Sequence, residues 1–429
     1  MHLWPRGQFF TKPPRQDWTA LDRTTSRRYT LHTLRVLALT KIFPNRNNQN
    51  AMPYVPRQCV ALARQCELQV WATVPWFPGA SLLKRFRSTN DDISKVPRTD
   101  RLFGLDITHP RFVYLPRLVS VSGASYALSI APMLLLHRRQ FDVILATFAY
   151  PDGVAATALG QLLGIPTVIQ VIGSDVDVAA QLATLKPQVR WSFRHAAGVI
   201  AVSSTLAEKC VHLGARPDST TAIVTGVDRQ VFAPRNRKTA RLALGLPVDG
   251  KLILYVGRLS EEKGVIDALS AFERTRKGGD VRLAYVGDGP LLRRLRQRAV
   301  ERNDVIVTGS LDGAKVSDWL AACDLLTLPS YHEGTPNVVL EAISSGRPIV
   351  ATRVGGIPDV CSSPVYGEMV SPGAISELAN AYERVLSRPH VPSEIAACPS
   401  LYSWDENARR VLAFVQTVCS TKCSSSAPA

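Results

Sequence analysis

Short runs of Val, Ile and Leu recur along this chain, each followed by a loop and then by a stretch with helical spacing. In the first half they read LRVLALT (34–40), LQVWATV (68–74), FDVILATF (141–148), PTVIQVIG (166–173), GVIAVS (198–203) and TTAIVTG (220–226). In the second they read KLILYVG (251–257), VRLAYVG (281–287), DVIVTG (304–309), DLLTLPS (324–330) and PIVATR (348–353). A strand that is apolar at nearly every position has no wet face and must be covered on both sides, as parallel strands joined through helices are. The pattern predicts an α/β chain with doubly wound parallel sheets. With 429 residues, 46% of them hydrophobic, there is material for two cores. The seam falls in 228–251, which is rich in Pro, Gly and charge and holds no strand-like run. The expected domains are therefore 33–230 and 231–403, with a helical pattern at 404–418 that fits either one. A frayed tail is expected at 419–429.

A net charge of +16 points to an anionic partner: nucleic acid, an acidic membrane surface or a phosphorylated substrate. Residues 1–32 belong to a basic arm with Trp4, Phe9, Phe10 and Trp18, expected to be disordered, or else to touch a membrane. It shows no secretory signal pattern. The uncharged stretch 118–136 invites comparison with a membrane span, but four serines, a glycine and Pro132 favour a buried or surface-lying helix. VPWFPGASLLKRFR (74–87) sets Trp76, Phe77 and Phe86 beside Lys84, Arg85 and Arg87, which suits either a lipid interface or a folded loop with a wet edge. LLRRLRQRAVER (291–302) reads as the wet face of a helix; no nucleic-acid-binding module accompanies it. The eight cysteines lack metal-ligand spacing, so no metal is expected and free thiols are, as in a reducing compartment.

Open parallel sheets bind ligands outside the carboxyl ends of their strands, so the residues just after each run carry the chemistry. Three loops of the second half stand out. In GRLSEEKG (257–264), Gly257 permits close backbone approach, and Arg258 and Lys263 bracket a helix start; two cations there suit a diphosphate. A solvated turn with Lys263 paired to Glu261 or Glu262 fits the same residues. In GDGP (287–290), Gly287 and Gly289 suit either close approach to a ligand or a tight turn; the third glycine of a dinucleotide fingerprint is missing. In HEGTPNVVLEA (332–342), Thr335 is expected to cap a helix, with Pro336 at its first position and the amides of Asn337 and Val338 offered to a phosphate. Glu333 precedes that helix and Glu341 lies about a turn and a half inside it, so the two carboxylates can serve two ends of one bound molecule.

Taken in order, GRLSEEKG, VGDGP and PSYHEGTPNVVLEAISSGRPIVATRVGG resemble glycosyltransferase family 4, as does AVSSTLAEK with VTGVDRQVFAP upstream. The resemblance spans roughly 33–418 and implies the GT-B fold: two Rossmann-like domains with a cleft between them, the helix after Trp404 returning to the first. It implies a retaining, metal-independent hexosyltransferase that moves a sugar from a nucleoside diphosphate sugar, a substrate rather than a cofactor, to a hydroxyl. UDP or GDP would carry the sugar, and polysaccharide or glycolipid synthesis is the expected setting. Arg258 and Lys263 match the family's diphosphate pair, Glu333 the first glutamate of its E-x7-E motif near the transferred sugar, and Glu341 the second, on the ribose.

The first domain departs from the family. The loop after its first strand has no glycine, and VIGSDVD stands where many members carry His-Gly. Asp175 then lies near the expected catalytic centre, either orienting a hydroxyl or capping a helix. AYPDG, with Asp152 and Gly153, and Gly173 are candidates for acceptor binding. The expected acceptor is lipid-linked or a saccharide, the expected location cytoplasmic, at the inner face of the inner membrane when an anionic bilayer is engaged. A catalytically inactive nucleotide-sugar-binding scaffold is the alternative.

Overall fold

A computed structural model describes residues 33–45, 54–76, 96–115, 118–275 and 280–425. The basic arm before residue 33 and most of 74–87 lie outside them. The described residues divide into two compact units: one holds 33–226 together with Trp404–Ser425, the other Val227–Ser403.

The first unit is built on an eight-stranded sheet. Its strands are β1 (Arg35–Thr40), β2 (Glu67–Ala72), β4 (Thr99–Leu102), β5 (Leu105–Thr108), β7 (Val143–Thr147), β8 (Thr167–Val171), β9 (Gly198–Ala201) and β10 (Thr220–Ala222). A separate two-stranded ribbon pairs β3 (Val74–Trp76) with β6 (Arg111–Val113). The order is β10-β9-β8-β7-β1-β2-β5-β4, parallel except for the edge hairpin β4–β5. The order turns back between β1 and β7. The helices are α1 (Tyr54–Ala63), α2 (Ser122–His137), α3 (Val154–Leu163), α4 (Ser174–Gln181), α5 (Lys186–His195) and α6 (Ser204–His212).

Strand alternation assigns the two faces. Leu37, Leu39, Ile144 and Ala146 pack on Tyr126, Ile130 and Leu134 of α2 and on Ala155, Ala156 and Leu159 of α3. Val36, Val143, Leu145 and Val168 face the other way, onto Ala61 and Leu62 of α1 and onto the C-terminal helix Trp404–Ser425, through Ala408, Val411, Leu412, Val415 and Val418. The uncharged stretch expected to be buried or surface-lying is α2: one face is in the core, the other is wet. By length and composition, Val119–Gln140 could cross a membrane, but the burial of Tyr126, Ile130 and Leu134 makes it part of this sheet's cover.

After the short strand β11 (Gly226–Val227), the second unit forms a six-stranded, all-parallel sheet from β12 (Lys251–Val256), β13 (Val281–Val286), β14 (Val305–Gly309), β15 (Leu325–Leu328), β16 (Ile349–Thr352) and β17 (Gly367–Val370). Its order, β14-β13-β12-β15-β16-β17, turns back between β12 and β15. Helices α7 (Arg237–Ala243), α8 (Val265–Thr275), α9 (Leu292–Glu301), α10 (Gly313–Ala322), α11 (Asn337–Ser344) and α12 (Ile375–Ser387) connect and cover it. Ile253, Leu254, Leu325, Leu326, Ile349 and Val350 are completely buried, as continuous apolar strands require.

Candidate functional site

Where a parallel sheet reverses its strand order, two neighbouring loops diverge at the carboxyl edge and leave a crevice. In the second unit those loops follow β12 and β15, and they carry the residues singled out by sequence. The Lys263 ammonium lies 2.8 Å from Glu333 Oε1 and donates to the His332 carbonyl at 3.2 Å. Ser330 Oγ donates to the same Glu333 oxygen at 2.7 Å. Lys263 therefore pairs with Glu333 across the crevice. The solvated-turn reading, with pairing to Glu261 or Glu262, does not hold.

The glycines hold the loops together. A side chain on Gly264 would meet the Pro329 carbonyl oxygen at 1.9 Å, and one on Gly287 would meet that of Gly257 at 1.8 Å. Leu259 donates its amide to Asp288 O at 2.9 Å, and Leu291 its own to Leu259 O at 2.9 Å. The loop with Gly287 and Gly289 thus packs directly behind the loop with Gly257 and Arg258. Tyr331 donates to Glu262 O at 2.9 Å, joining the Lys263 loop to the Glu333 loop. Arg258 is exposed, its carbonyl held by Tyr255 Oη at 2.9 Å.

One detail differs from expectation. Helix α11 begins at Asn337, with Pro336 in the capping position at ψ 115° and no side-chain cap, so Thr335 is not the cap and Pro336 is not the first helical residue. The physical reason lies upstream. Gly356 donates its amide to the Gly334 carbonyl, and Gly355 sits so close to the Glu333 carbonyl that no side chain fits. This clamp fixes the bend at Gly334 and Thr335 and leaves Pro336 extended, so the helix starts one residue later. Asn337 and Val338 still form its first turn, and Glu341 lies partly buried farther along. The E-x7-E glutamates thus flank the helix start, as anticipated.

A cavity of about 410 Å³ in this unit lies at the opposite, amino edge of the sheet, beside Lys251, Asp324 and Pro348. Its cations are engaged structurally. Arg235 pairs with Asp318 at 2.9 Å and Arg388 with Glu368 at 2.6 Å, and Arg347 donates to the carbonyl of Leu320 at 3.0 Å.

The first unit has its own reversal, between β1 and β7, and sequence reasoning missed most of what is there. Lys41 follows β1, and its ammonium lies 3.5 Å from the Tyr150 carbonyl. Asp152 follows β7 and is completely buried. Its Oδ1 accepts from Tyr126 Oη at 3.1 Å, which itself accepts from Thr73 Oγ1 at 2.9 Å. Its Oδ2 has no hydrogen-bond partner of ordinary geometry. Burial pushes the Asp152 carboxyl up to about 7, against the opposing pull of the Lys41 charge. Burial likewise lowers Lys41, against the pull of Asp152 and Asp175. Lys41 could have been found in the sequence by the position rule alone, as the residue after the first strand; Tyr126 carried no signal.

The acceptor-side expectations need correction. Asp152 and Gly153 are buried, and a side chain on Gly153 would meet Phe148 O at 2.9 Å, so AYPDG is packed inward and offers an acceptor no surface. Gly173 is buried as well, at φ 127°. Asp175 is partly buried, with its carboxylate turned back onto the start of its helix and the loops before it. It accepts from Ala149 N at 2.7 Å, Gly173 N at 2.9 Å and Ile172 N at 3.2 Å, stapling the loop after β7 to the loop after β8.

A family model described as glycosyl transferases group 1 matches residues 250–388, and one for Glycosyltransferase Family 4 matches 54–231. The chain is 30% identical over 333 residues to TuaC of Bacillus subtilis (strain 168), named for a teichuronic acid biosynthesis glycosyltransferase, covering 74% of this chain and 82% of that one. The chain belongs to glycosyltransferase family 4. Among solved structures, sucrose-phosphate synthase from Thermosynechococcus elongatus superposes with a TM-score of 0.68 at 20% identity, over 90% of this chain and all of the other. Anabaena HepE, in complex with UDP-glucose, gives 0.61 at 18% identity, over 91% and 99%. These likenesses support the GT-B assignment of the two Rossmann-like units. The family 4 enzyme described here is a glycosyltransferase.

Proposed function

We propose that this glycosyltransferase moves a hexose, with retention, from a nucleoside diphosphate sugar to a hydroxyl of a lipid-linked or saccharide acceptor in polysaccharide or glycolipid synthesis. The observation that carries the reading is the Lys263–Glu333 contact at 2.8 Å, beside Arg258 and the first turn of α11. Within the protein these opposite charges satisfy one another. A bound diphosphate would take Lys263 and Arg258, freeing Glu333 for the hydroxyls of the sugar, while Glu341 serves the ribose.

The transfer balances without a side-chain nucleophile. The bond from the anomeric carbon to the phosphate oxygen breaks, the acceptor oxygen bonds to that carbon on the same face, and the acceptor proton passes to the departing phosphate oxygen. Charge builds on the leaving diphosphate, so fixed cations and helix amides are the groups that lower the barrier. Arg258, Lys263 and the amides of Asn337 and Val338 supply that stabilisation in place of a metal ion. The teichuronic acid context of TuaC supports a polysaccharide or glycolipid setting. The excess of cations supports work at the cytoplasmic face of an anionic membrane.

A thermal-shift screen against UDP-, GDP- and ADP-sugars tests the donor, and the anomeric configuration of the product, read by proton NMR, tests retention. One nucleotide sugar should stabilise the protein, and turnover should persist in EDTA. A product of inverted configuration rejects the mechanism. Saturable donor binding without turnover on any acceptor favours the binding-scaffold alternative.

A further inference from the structure

Three helices cover one face of the first unit's sheet side by side: α2, α3 and α5. Gln188 of α5 donates to the Ser120 carbonyl at the entry to α2 at 2.8 Å, and Gln161 of α3 donates to the His195 carbonyl at the end of α5 at 2.8 Å. The inner sides of α2 and α3 fill the core already described, and Val189 and Phe193 of α5 pack beside it with Val154, Ile169 and Val199. The outer sides of the three helices are unusual for a wet surface.

Helix α2 buries Tyr126, Ile130 and Leu134, so its opposite side should be polar. Instead Leu128, Leu135 and Leu136 face outward, Leu128 77% and Leu136 82% exposed, in line with the exposed Val121 just before the helix. Leu162 on the last turn of α3 is 76% exposed. The first turns of α2 and α3 meet, at Gly123 against Val154. Both helices then lead back to the amino edge of the sheet, which brings Leu162 toward the Leu135–Leu136 end of α2.

The charge on this layer has one sign. Residues 119–140, 154–163 and 186–195 contain no Asp or Glu. Arg138 and Arg139 follow the apolar row of α2, and α5 exposes Lys186, Arg190 and Arg194 around the partly exposed Trp191. An apolar stripe bordered by cations and an interfacial Trp, with no carboxylate, is complementary to anionic headgroups above an acyl layer.

We infer that the α2–α3–α5 face is a docking surface for an anionic lipid bilayer, with the leucine row entering the acyl boundary and the arginines meeting the headgroups. This deepens the membrane part of the function proposed above and rests on it. A second copy of the chain suits the face poorly, because a two-fold contact sets each cationic patch against its own kind.

The test is vesicle flotation of the full chain with phosphatidylcholine alone and with one-third phosphatidylglycerol added. The wild type should float with the anionic vesicles, less at high salt, and not with neutral ones. Leu128→Ser, Leu135→Ser and Leu136→Ser combined, and separately Arg190→Glu with Arg194→Glu, should each lower the bound fraction about tenfold. Unchanged melting temperature and unchanged UDP-glucose binding confirm that these variants fold. Absence of wild-type flotation, or variants that float like it, overturns the assignment. So does a wild-type dimer in sedimentation that the leucine variant dissolves, since the face then joins two copies. Failure of the donor reading shows separately, as absent nucleotide-sugar binding in a protein that still floats.

Discussion

Each sheet places a lysine and a carboxylate at its reversal point, and the two pairs differ in burial. Lys263 and Glu333 are partly exposed and meet at 2.8 Å, a geometry that a ligand can open. On the proposed mechanism, replacing Lys263 with Ala removes one of the two cations that face the leaving diphosphate, so kcat/KM should fall about tenfold or more, roughly 1.4 kcal/mol in the barrier. Steady-state kinetics on the donor identified by thermal shift checks this; an unchanged value in both Lys263→Ala and Arg258→Ala removes them from the mechanism. Asp152 is fully buried, and the consequence is a pH dependence of stability. Its carboxyl titrates at about 7 in the folded chain against an ordinary value of 3.8. Between those limits the unfolded chain has released a proton that the folded chain keeps, so the Asp152 contribution falls as pH rises and levels off above about 7. The melting temperature of the wild type minus that of Asp152→Asn should therefore decline from about pH 4.5 to 7.5; a flat or rising difference contradicts the assignment. The exposed pair was legible because Arg258, Lys263, Glu333 and Glu341 follow strands in an ordered set of motifs. The buried pair was not, because Tyr126 and Thr73, which complete it, are brought to Asp152 by tertiary packing and leave no mark at fixed spacing.

At the scale of elements, what decides the site is how closely three loops approach one another. Gly287, at φ 152°, lies so close to Gly257 that an added methyl group would sit 1.8 Å from its carbonyl oxygen. Backbone is on both sides of that contact, so no side chain can yield. Gly287→Ala should cost about 1–3 kcal/mol through overpacking and displace the Arg258 loop. The expected signs are a melting temperature lower by several degrees and weaker nucleotide-sugar binding, the latter measured by calorimetry; wild-type binding would show that the loops are not coupled. The parallel strands were readable because burial on both faces leaves continuous apolar runs, as in KLILYVG. The hairpin β4–β5 was not. Its strands, TDRL and LDIT, are four residues each and alternate wet with buried positions, and the turn uses Phe103 and Gly104 at positive φ in place of an Asn-Gly signal. The start of α11 misled for a related reason: a clamp from Gly355 and Gly356, about twenty residues downstream, overrides the local capping preference of Thr335.

For the whole molecule, the path of the chain has an energetic consequence. The chain builds one unit, leaves it after Gly226, completes the other by Ser403, and returns with the helix Trp404–Ser425 to finish the first. That last helix supplies Val411, Leu412, Val415 and Val418 to the core beneath β1, β7 and β8. It is also tied by Asn407, which donates to the Val224 carbonyl at 2.8 Å and accepts from Gln58 at 3.0 Å. Four buried Val and Leu side chains contribute roughly 6–12 kcal/mol at about 1.5–3 each, an upper bound because unfolded chains already bury some surface. The net stability of a domain is only about 5–15 kcal/mol. Ending the chain at Ser403 should therefore unfold the first unit while leaving the second, whose core includes none of these residues. Differential scanning calorimetry of the truncated chain should lose the transition belonging to the first unit, and limited trypsinolysis should leave a resistant fragment within 227–403. Retention of both transitions after truncation would mean that the helix only decorates a core complete without it.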